Sequence, residues 1–162
     1  MQASAASMTN AAAREVRSVP QLFRGPRPYV SEASFTVLLM SLRASGGVLT
    51  GDGVVLLLRD YRDQPLSWLA RAIVRREIVH IMWRSQVMVP MFQFRPEDMA
   101  LREGMQSVLA TLAPVYDDWE IARWFGEPNV WLRGKSPAAC VSLDARGVHD
   151  AARADSFIAG GD

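Results

Sequence analysis

The spacing of apolar residues changes twice along the chain, and these changes constrain the fold more than any other feature. Over residues 31–74 the apolar side chains recur at helical spacing, in three short stretches. Two strand-like runs follow at 78–83 and 87–92, on either side of the polar turn 84–86. Helical spacing returns from Leu101 onward. The sequence therefore predicts a mainly α fold in which two tight helices and a β-hairpin have the outline of a winged helix-turn-helix.

Three segments are predicted from this pattern. Residues 1–31 mix Ala, Ser, Arg and Pro without a sustained period, which favours a flexible N-terminal arm. Residues 32–95 form the helix-turn-helix-like region, and Pro90 predicts that the second strand of its hairpin is an edge or is bulged. Residues 96–162 form a small helical domain, in which Asp117 begins an Asp-x-x-Glu capping box.

The composition excludes several classes of protein. The longest aliphatic run, 54–58, is far shorter than the roughly 20 residues that a membrane-spanning helix needs. No secretory signal is visible in the first thirty residues, and the single cysteine, Cys140, cannot form an internal disulfide. We therefore expect a cytoplasmic protein that does not enter a membrane.

Charge is distributed unevenly, although the chain as a whole carries +1. Eleven arginines and six acidic residues precede Met91, giving +5, whereas seven basic and eleven acidic residues lie from Met91 onward, giving −4. A basic first half suits nucleic acid, and a drift of surface charge explains the pattern equally well. If DNA is bound, the predicted contacts are arginines of the third helix and of the hairpin turn: Arg71, Arg75, Arg76 and Arg84.

Little in the sequence indicates catalysis. His80 and His149 lack the spacing of metal ligands, and His80 lies in an apolar run that favours a structural role. The glycines of 46–53 fit neither a P-loop nor a dinucleotide fingerprint. Asp117 and Asp118 are explained by helix capping. We predict no enzyme, no metal and no cofactor, with a small enzyme using His149 or the two aspartates as a minor alternative.

Four segments of the chain resemble, in order and spacing, the Xre/MbcA/ParS-type antitoxins of bacteria. Residues 89–94 (VPMFQF) are similar to that family's P-x-F-Q-F strand, and 118–125 (DWEIARWF) to the helix that follows it. Residues 128–137 (PNVWLRGKSP) are similar to the element P-N-x-x-L-x-G-x-x-P, and 148–153 to the start of the final helix. The resemblance covers residues 50–160, roughly.

The resemblance implies an antitoxin of a type II module whose toxin has a RES-type fold and consumes NAD. The C-terminal domain would then cover the entrance to the toxin's active site, and the N-terminal region could bind operator DNA. The predicted toxin contacts come from the 128–137 element and from a small-residue face of the last helix: Asn129, Trp131, Leu132, Arg133, Gly134, Pro137, Val148, Ala151 and Ala152. We also expect a homo-oligomer. The alternative is a DNA-binding transcriptional regulator whose C-terminal half only dimerises.

Overall fold

The computed structural model describes residues 29–161, and in that range the chain forms seven α-helices and three β-strands. The predicted arm, 1–31, lies outside the described residues except for its last three. The helices are α1 (Glu32–Leu42), α2 (Gly51–Leu58), α3 (Pro65–Val74), α4 (Met105–Leu112), α5 (Asp118–Gly126), α6 (Pro137–Cys140) and α7 (Ala145–Gly160). The strands are β1 (Val48–Thr50), β2 (Ile81–Trp83) and β3 (Gln86–Pro90). The predicted fold class, mainly helical with a small antiparallel β element, is confirmed.

Side-chain caps fix where several helices begin. The hydroxyl of Ser31 accepts a hydrogen bond from the backbone N–H of Ser34 at 3.1 Å, so α1 begins where its N-cap predicts. At α5 the predicted capping box is complete, because the Asp117 carboxylate accepts from Glu120 N and the Glu120 carboxylate accepts from Asp117 N, both at 2.8 Å. These bonds satisfy N–H groups that have no partner within the helix.

The strands form one sheet in the order β1–β3–β2, with both pairings antiparallel. The predicted hairpin is present, and its turn residues Arg84 and Ser85 both have positive φ, 45° and 66°, as in the tight turns that match the twist of a hairpin. The expectation that β3 is an edge strand is wrong, because β1 pairs with its other side and Val48 lies opposite Pro90. β1 has only three residues, which is too short for its apolar period to be recognised.

Gln93 joins the end of β3 to the segment that leads into β2. Its side-chain oxygen accepts from Val79 N at 2.7 Å, and its side-chain nitrogen donates to Val79 O at 2.9 Å and to Pro90 O at 2.8 Å. Pro90 has no N–H to offer a neighbouring strand, and the fully buried amide of Gln93 bonds the backbone at this point instead. The glutamine of the VPMFQF segment therefore has a structural role.

Two helix boundaries differ from the sequence prediction. Helix α4 begins at Met105 rather than Leu101, because Leu101 forms an isolated antiparallel bridge with Phe94. Gly126, followed closely by Pro128, is predicted from the sequence to be the C′ residue that ends α5, but it is the last residue of the helix and has no positive φ. A Cβ added at Gly126 would lie 2.4 Å from the hydroxyl of Ser41, so the glycine allows α1 and α5 to approach closely.

The two predicted segments 32–95 and 96–162 belong to one compact unit, residues 31–162. Helix α1 packs on α5, and the ring of Phe92 lies 4.5 Å from that of Phe125, which is fully buried. The division of this unit into two domains stays a prediction. Among residues 29–161 no helix has the length and apolar character needed to cross a membrane.

Candidate functional site

The segment between α5 and α6 forms a closed loop around Asn129. Its side-chain oxygen accepts from Trp131 N at 2.9 Å, its backbone N–H donates to Lys135 O at 3.0 Å, and its backbone oxygen accepts from Gly134 N at 2.9 Å. A single turn of 3-10 helix, Val130–Leu132, lies inside the loop, and Arg133 and Gly134 follow with φ of 57° and 77°. The Asn side chain therefore stabilises the turn locally, and Arg133 and Gly134 supply the two left-handed residues that close it.

Asp155 of α7 holds this loop in place. Its carboxylate accepts from the indole N–H of Trp124 at 2.8 Å, from the amide N–H of Asn129 at 2.6 Å and from the indole N–H of Trp131 at 2.8 Å. Asp155 also lies near Tyr116, and burial together with the charges of Asp155 and Glu120 raises the pKa of that phenol. In the sequence Asp155 looks like an interruption of an apolar face; in the structure it is the acceptor that joins α5, the loop and α7.

The indole of Trp131 is anchored and exposed at the same time. Trp131 is 54% exposed although its N–H is bonded to Asp155, and its neighbour Val130 is 81% exposed. Arg133 is exposed in the same loop, and Ile158, one turn after Asp155 on α7, is 65% exposed. We call these four residues the Trp131 surface. Trp and Arg are enriched among the side chains that dominate binding energy, so this surface is a candidate contact site.

Several of the predicted contact residues do not lie on this surface. Val148, Ala151 and Ala152 are at most 1% exposed, because α7 packs through them against its neighbours, chiefly α4. The expectation of an accessible small-residue face is therefore wrong: the small side chains allow a close helix–helix contact inside the chain. Asn129, Leu132 and Pro137 are also buried. Among the predicted set, Trp131, Arg133 and Gly134 are exposed.

Three of the four arginines predicted to contact DNA form ion pairs with carboxylates of the same chain. The Arg75 Nη1 lies 3.9 Å from the Glu77 Oε1, and the Arg76 Nη2 lies 3.4 Å from the Asp118 Oδ1. Arg84 forms an ion pair with Glu32. Arg71 is exposed on α3 and, within residues 29–161, forms no ion pair. Exposed ion pairs of this kind contribute little to stability, but each carboxylate reduces the attraction of its arginine for a phosphate.

The exposed face of α3 is mainly apolar, which differs from the sequence prediction. Helical spacing in the sequence predicts that the apolar residues of α3 share one buried face: Leu66, Leu69, Ala70, Ile73 and Val74. In the structure Leu69 and Ala72 face the core, whereas Leu66 and Val74 are 65% and 82% exposed. Exposed Ala70 lies between them in the helix. Hydrogen bonds to base edges need polar side chains, and this face offers few of them.

The titratable residues considered for catalysis have structural contacts. His80 is buried with its Nε2 3.7 Å from the Asp118 carboxylate, which also pairs with Arg76. Asp117 caps α5. His149 lies on α7 with its Nε2 3.2 Å from the hydroxyl of Thr111 on α4. In the range the structure describes, no group of three or more His, Cys, Asp or Glu residues is arranged to hold a metal ion.

Comparison of the chain with models of known protein families, with curated proteins and with solved structures gives no match.

Proposed function

We propose that this chain is the antitoxin of a type II toxin–antitoxin module and that its C-terminal half binds and blocks a RES-type, NAD-consuming toxin. Two observations support the proposal. One is the resemblance of residues 89–152 to the Xre/MbcA/ParS-type antitoxins. The other, which carries the proposal, is the Trp131 surface: the element that resembles the family's P-N-x-x-L-x-G-x-x-P sequence presents a large aromatic ring to solvent.

The anchoring of Trp131 favours binding energetically. Ordering a flexible side chain on association costs conformational entropy, and a ring already held by Asp155 loses less of it. Trp and Arg are the residue types most enriched among side chains that dominate binding energy. Trp131 and Arg133 stand two positions apart in a loop closed at both ends by hydrogen bonds to Asn129. The surface is thus preorganised for a protein partner.

The charge of the C-terminal half also supports the proposal. The chain carries −4 from Met91 onward. An enzyme that binds a dinucleotide needs positive potential around the phosphates of its substrate, and an acidic partner associates faster with such an entrance. Charge complementarity of this kind acts mainly on the association rate and is weakened by salt.

Growth of cells that express the toxin provides the test. The protein encoded next to this chain is expressed alone and together with the wild-type chain, with Trp131→Ala or with Val74→Ala. Val74 is exposed and apolar but lies on α3, outside the Trp131 surface. We expect wild type and Val74→Ala to restore growth and Trp131→Ala to fail at equal protein levels. Rescue by all three, or an adjacent gene product that is not toxic, contradicts the proposal.

A second candidate function is DNA binding by residues 32–95, either beside toxin binding or as the main activity of a regulator whose C-terminal half dimerises. The order α1–β1–α2–α3–β2–β3, with two helices joined by a short turn and followed by a tight hairpin, supports a winged helix-turn-helix. Arg71 on α3 is the predicted contact that has no carboxylate partner in the described range. A mobility-shift assay on the DNA upstream of the gene, at several salt concentrations, tests this function. The absence of a shift at low salt contradicts DNA binding by residues 32–95.

A further inference from the structure

The turn between α2 and α3 borders a shallow, open cavity of about 620 Å³, and one residue of its wall, Arg71, is also the predicted DNA contact of α3. Three arginines line it: Arg59 just after α2, Arg62 in the turn, and Arg71 in the second half of α3. The aromatic ring of Trp68 forms another part of the wall. Two carboxylates, Asp60 and Asp63, lie in the same wall, so the cavity carries a net charge of +1 when all five groups are ionised.

The three guanidinium groups are available to a ligand. Within residues 29–161 none of them lies within ion-pair distance of a carboxylate, although the charge of Arg62 contributes to lowering the pKa of Asp98. Arg62 is held in place, because its guanidinium lies over the Trp68 ring at 4.1 Å. Its Nε is the one buried side-chain nitrogen or oxygen in the described part of the chain that has no hydrogen-bond partner. Because this nitrogen has almost no accessible surface, a ligand in the open cavity would contact the terminal nitrogens of the Arg62 guanidinium rather than Nε.

The start of α3 adds positive potential on the same side. Helix α3 has ten residues and begins at Pro65, and the side chain of its N-cap, Gln64, makes no capping hydrogen bond. The first-turn N–H groups therefore lack the acceptor that a Ser, Thr, Asn or Asp cap supplies. Gln64 lines the cavity, so this end of the helix borders it. Free N–H groups at a helix N-terminus attract anions.

We propose that this cavity binds a phosphate group through Arg59, Arg62 and Arg71. Guanidinium groups pair with oxyanions through parallel hydrogen bonds; a terminal phosphate offers three oxygens to them, and a phosphodiester of a nucleic-acid backbone offers two non-bridging oxygens. Because Asp60 and Asp63 reduce the net charge, we expect an affinity in the millimolar range. The phosphate can belong to a nucleic-acid backbone or to a free nucleotide. The proposal does not depend on toxin binding by the Trp131 surface.

The test is a titration of the full chain followed by NMR through the indole N–H signal of Trp68, which is identified by its loss in Trp68→Phe. The probes are inorganic phosphate, adenosine monophosphate and a short DNA duplex. The double variant Arg59→Gln/Arg71→Gln removes two exposed guanidiniums of the cavity, and Arg153→Gln removes an exposed arginine of α7 as the matched control. Thermal unfolding of each variant verifies that it folds.

We expect at least one probe to shift the signal with saturation, the double variant to weaken that binding about tenfold or more, and Arg153→Gln to leave it within twofold. Saturation by the duplex but not by the mononucleotide assigns the phosphate to nucleic acid, and the reverse assigns it to a free nucleotide. No saturation with any probe overturns the proposal. A loss of binding free energy per removed arginine that is the same in the double variant and in Arg153→Gln overturns it as well, because binding would then follow net charge rather than this cavity.

Discussion

Replacing Asp155 by alanine removes the acceptor shared by three N–H groups and should destabilise the chain by about 3 kcal/mol. A hydrogen bond to a charged group contributes roughly 1.5–3 kcal/mol, and a buried donor left without an acceptor loses its solvation as well. Asn129 is buried and Trp124 is half-buried, so water cannot fully replace the carboxylate for either. Trp131 is 54% exposed, and water replaces most of its bond. Two bonds at the low end of the range give the estimate.

Urea unfolding followed by circular dichroism measures the effect. For a chain of this length, about 3 kcal/mol corresponds to a fall in Tm of roughly 6–12 °C. Asp150→Ala is the matched control, since Asp150 is also an acidic residue of α7 but is exposed and makes no hydrogen bond through its side chain among the described residues. We expect that control to stay within about 0.5 kcal/mol of wild type. A loss below about 1 kcal/mol in Asp155→Ala, or one equal to that of Asp150→Ala, refutes the reasoning.

Four further substitutions test other contacts, each by the change in free energy of unfolding. Gln93→Leu leaves Val79 and Pro90 backbone groups buried without partners, and we expect a loss of about 2–4 kcal/mol; a neutral result contradicts the bridging role. Gly126→Ala places a methyl group 2.4 Å from the Ser41 hydroxyl and should cost about 1–3 kcal/mol; a neutral result contradicts the close approach of α1 and α5. Ala151→Trp overfills the buried face of α7 and should lower Tm; an unchanged Tm would contradict the assignment of Ala151 to the core. Because burial and nearby carboxylates raise the pKa of Tyr116, the unfolded chain ionises first, so stability falls as pH rises from about 10 through the folded pKa; Tyr116→Phe should flatten that slope.

The sequence predicted most helices because their signals are local. Ser31 and Asp117 cap their helices within three residues, and Pro65 and Pro137 stand at helix starts, so each boundary depends on a few neighbouring atoms. The hairpin was predictable for the same reason, from two apolar runs around a polar turn. The Asx turn at Asn129 and the tight turn at Gly134 follow from those two residues in the same way, whereas the 3-10 turn between them was not predicted.

What the sequence could not predict depends on contacts between distant residues. β1 is three residues long and becomes a strand only by pairing with β3, forty residues later. Gly126 looks like a helix terminator until Ser41 is found against it. Asp155 looks misplaced until the two indoles and Asn129 are found around it, 24 to 31 residues away along the chain. A carboxylate on the apolar face of a helix, in a chain whose preceding loop carries Trp and Asn donors, is the signal that could have identified it.

The predicted faces of α3 and α7 fail for a related reason. Helical periodicity identifies an apolar stripe but does not say whether the stripe packs inside the chain or against a partner. On α7 the small residues Val148, Ala151 and Ala152 are internal, whereas on α3 the apolar residues Leu66 and Val74 are exposed. Whether each face is buried depends on which elements pack against it, and the periodicity of one helix carries no information about those elements.

The central claim, that the Trp131 surface binds the toxin, is tested most directly by the affinity of purified proteins. The Kd for the protein encoded next to this chain is measured by calorimetry for wild type, Trp131→Ala and Val74→Ala, with Tm recorded for each. Removing an anchored aromatic at the centre of an interface costs about 2 kcal/mol or more, so the account predicts a Kd at least about thirtyfold weaker for Trp131→Ala and unchanged for Val74→Ala. A Trp131→Ala protein with the wild-type Tm and a Kd within about threefold of wild type would contradict it.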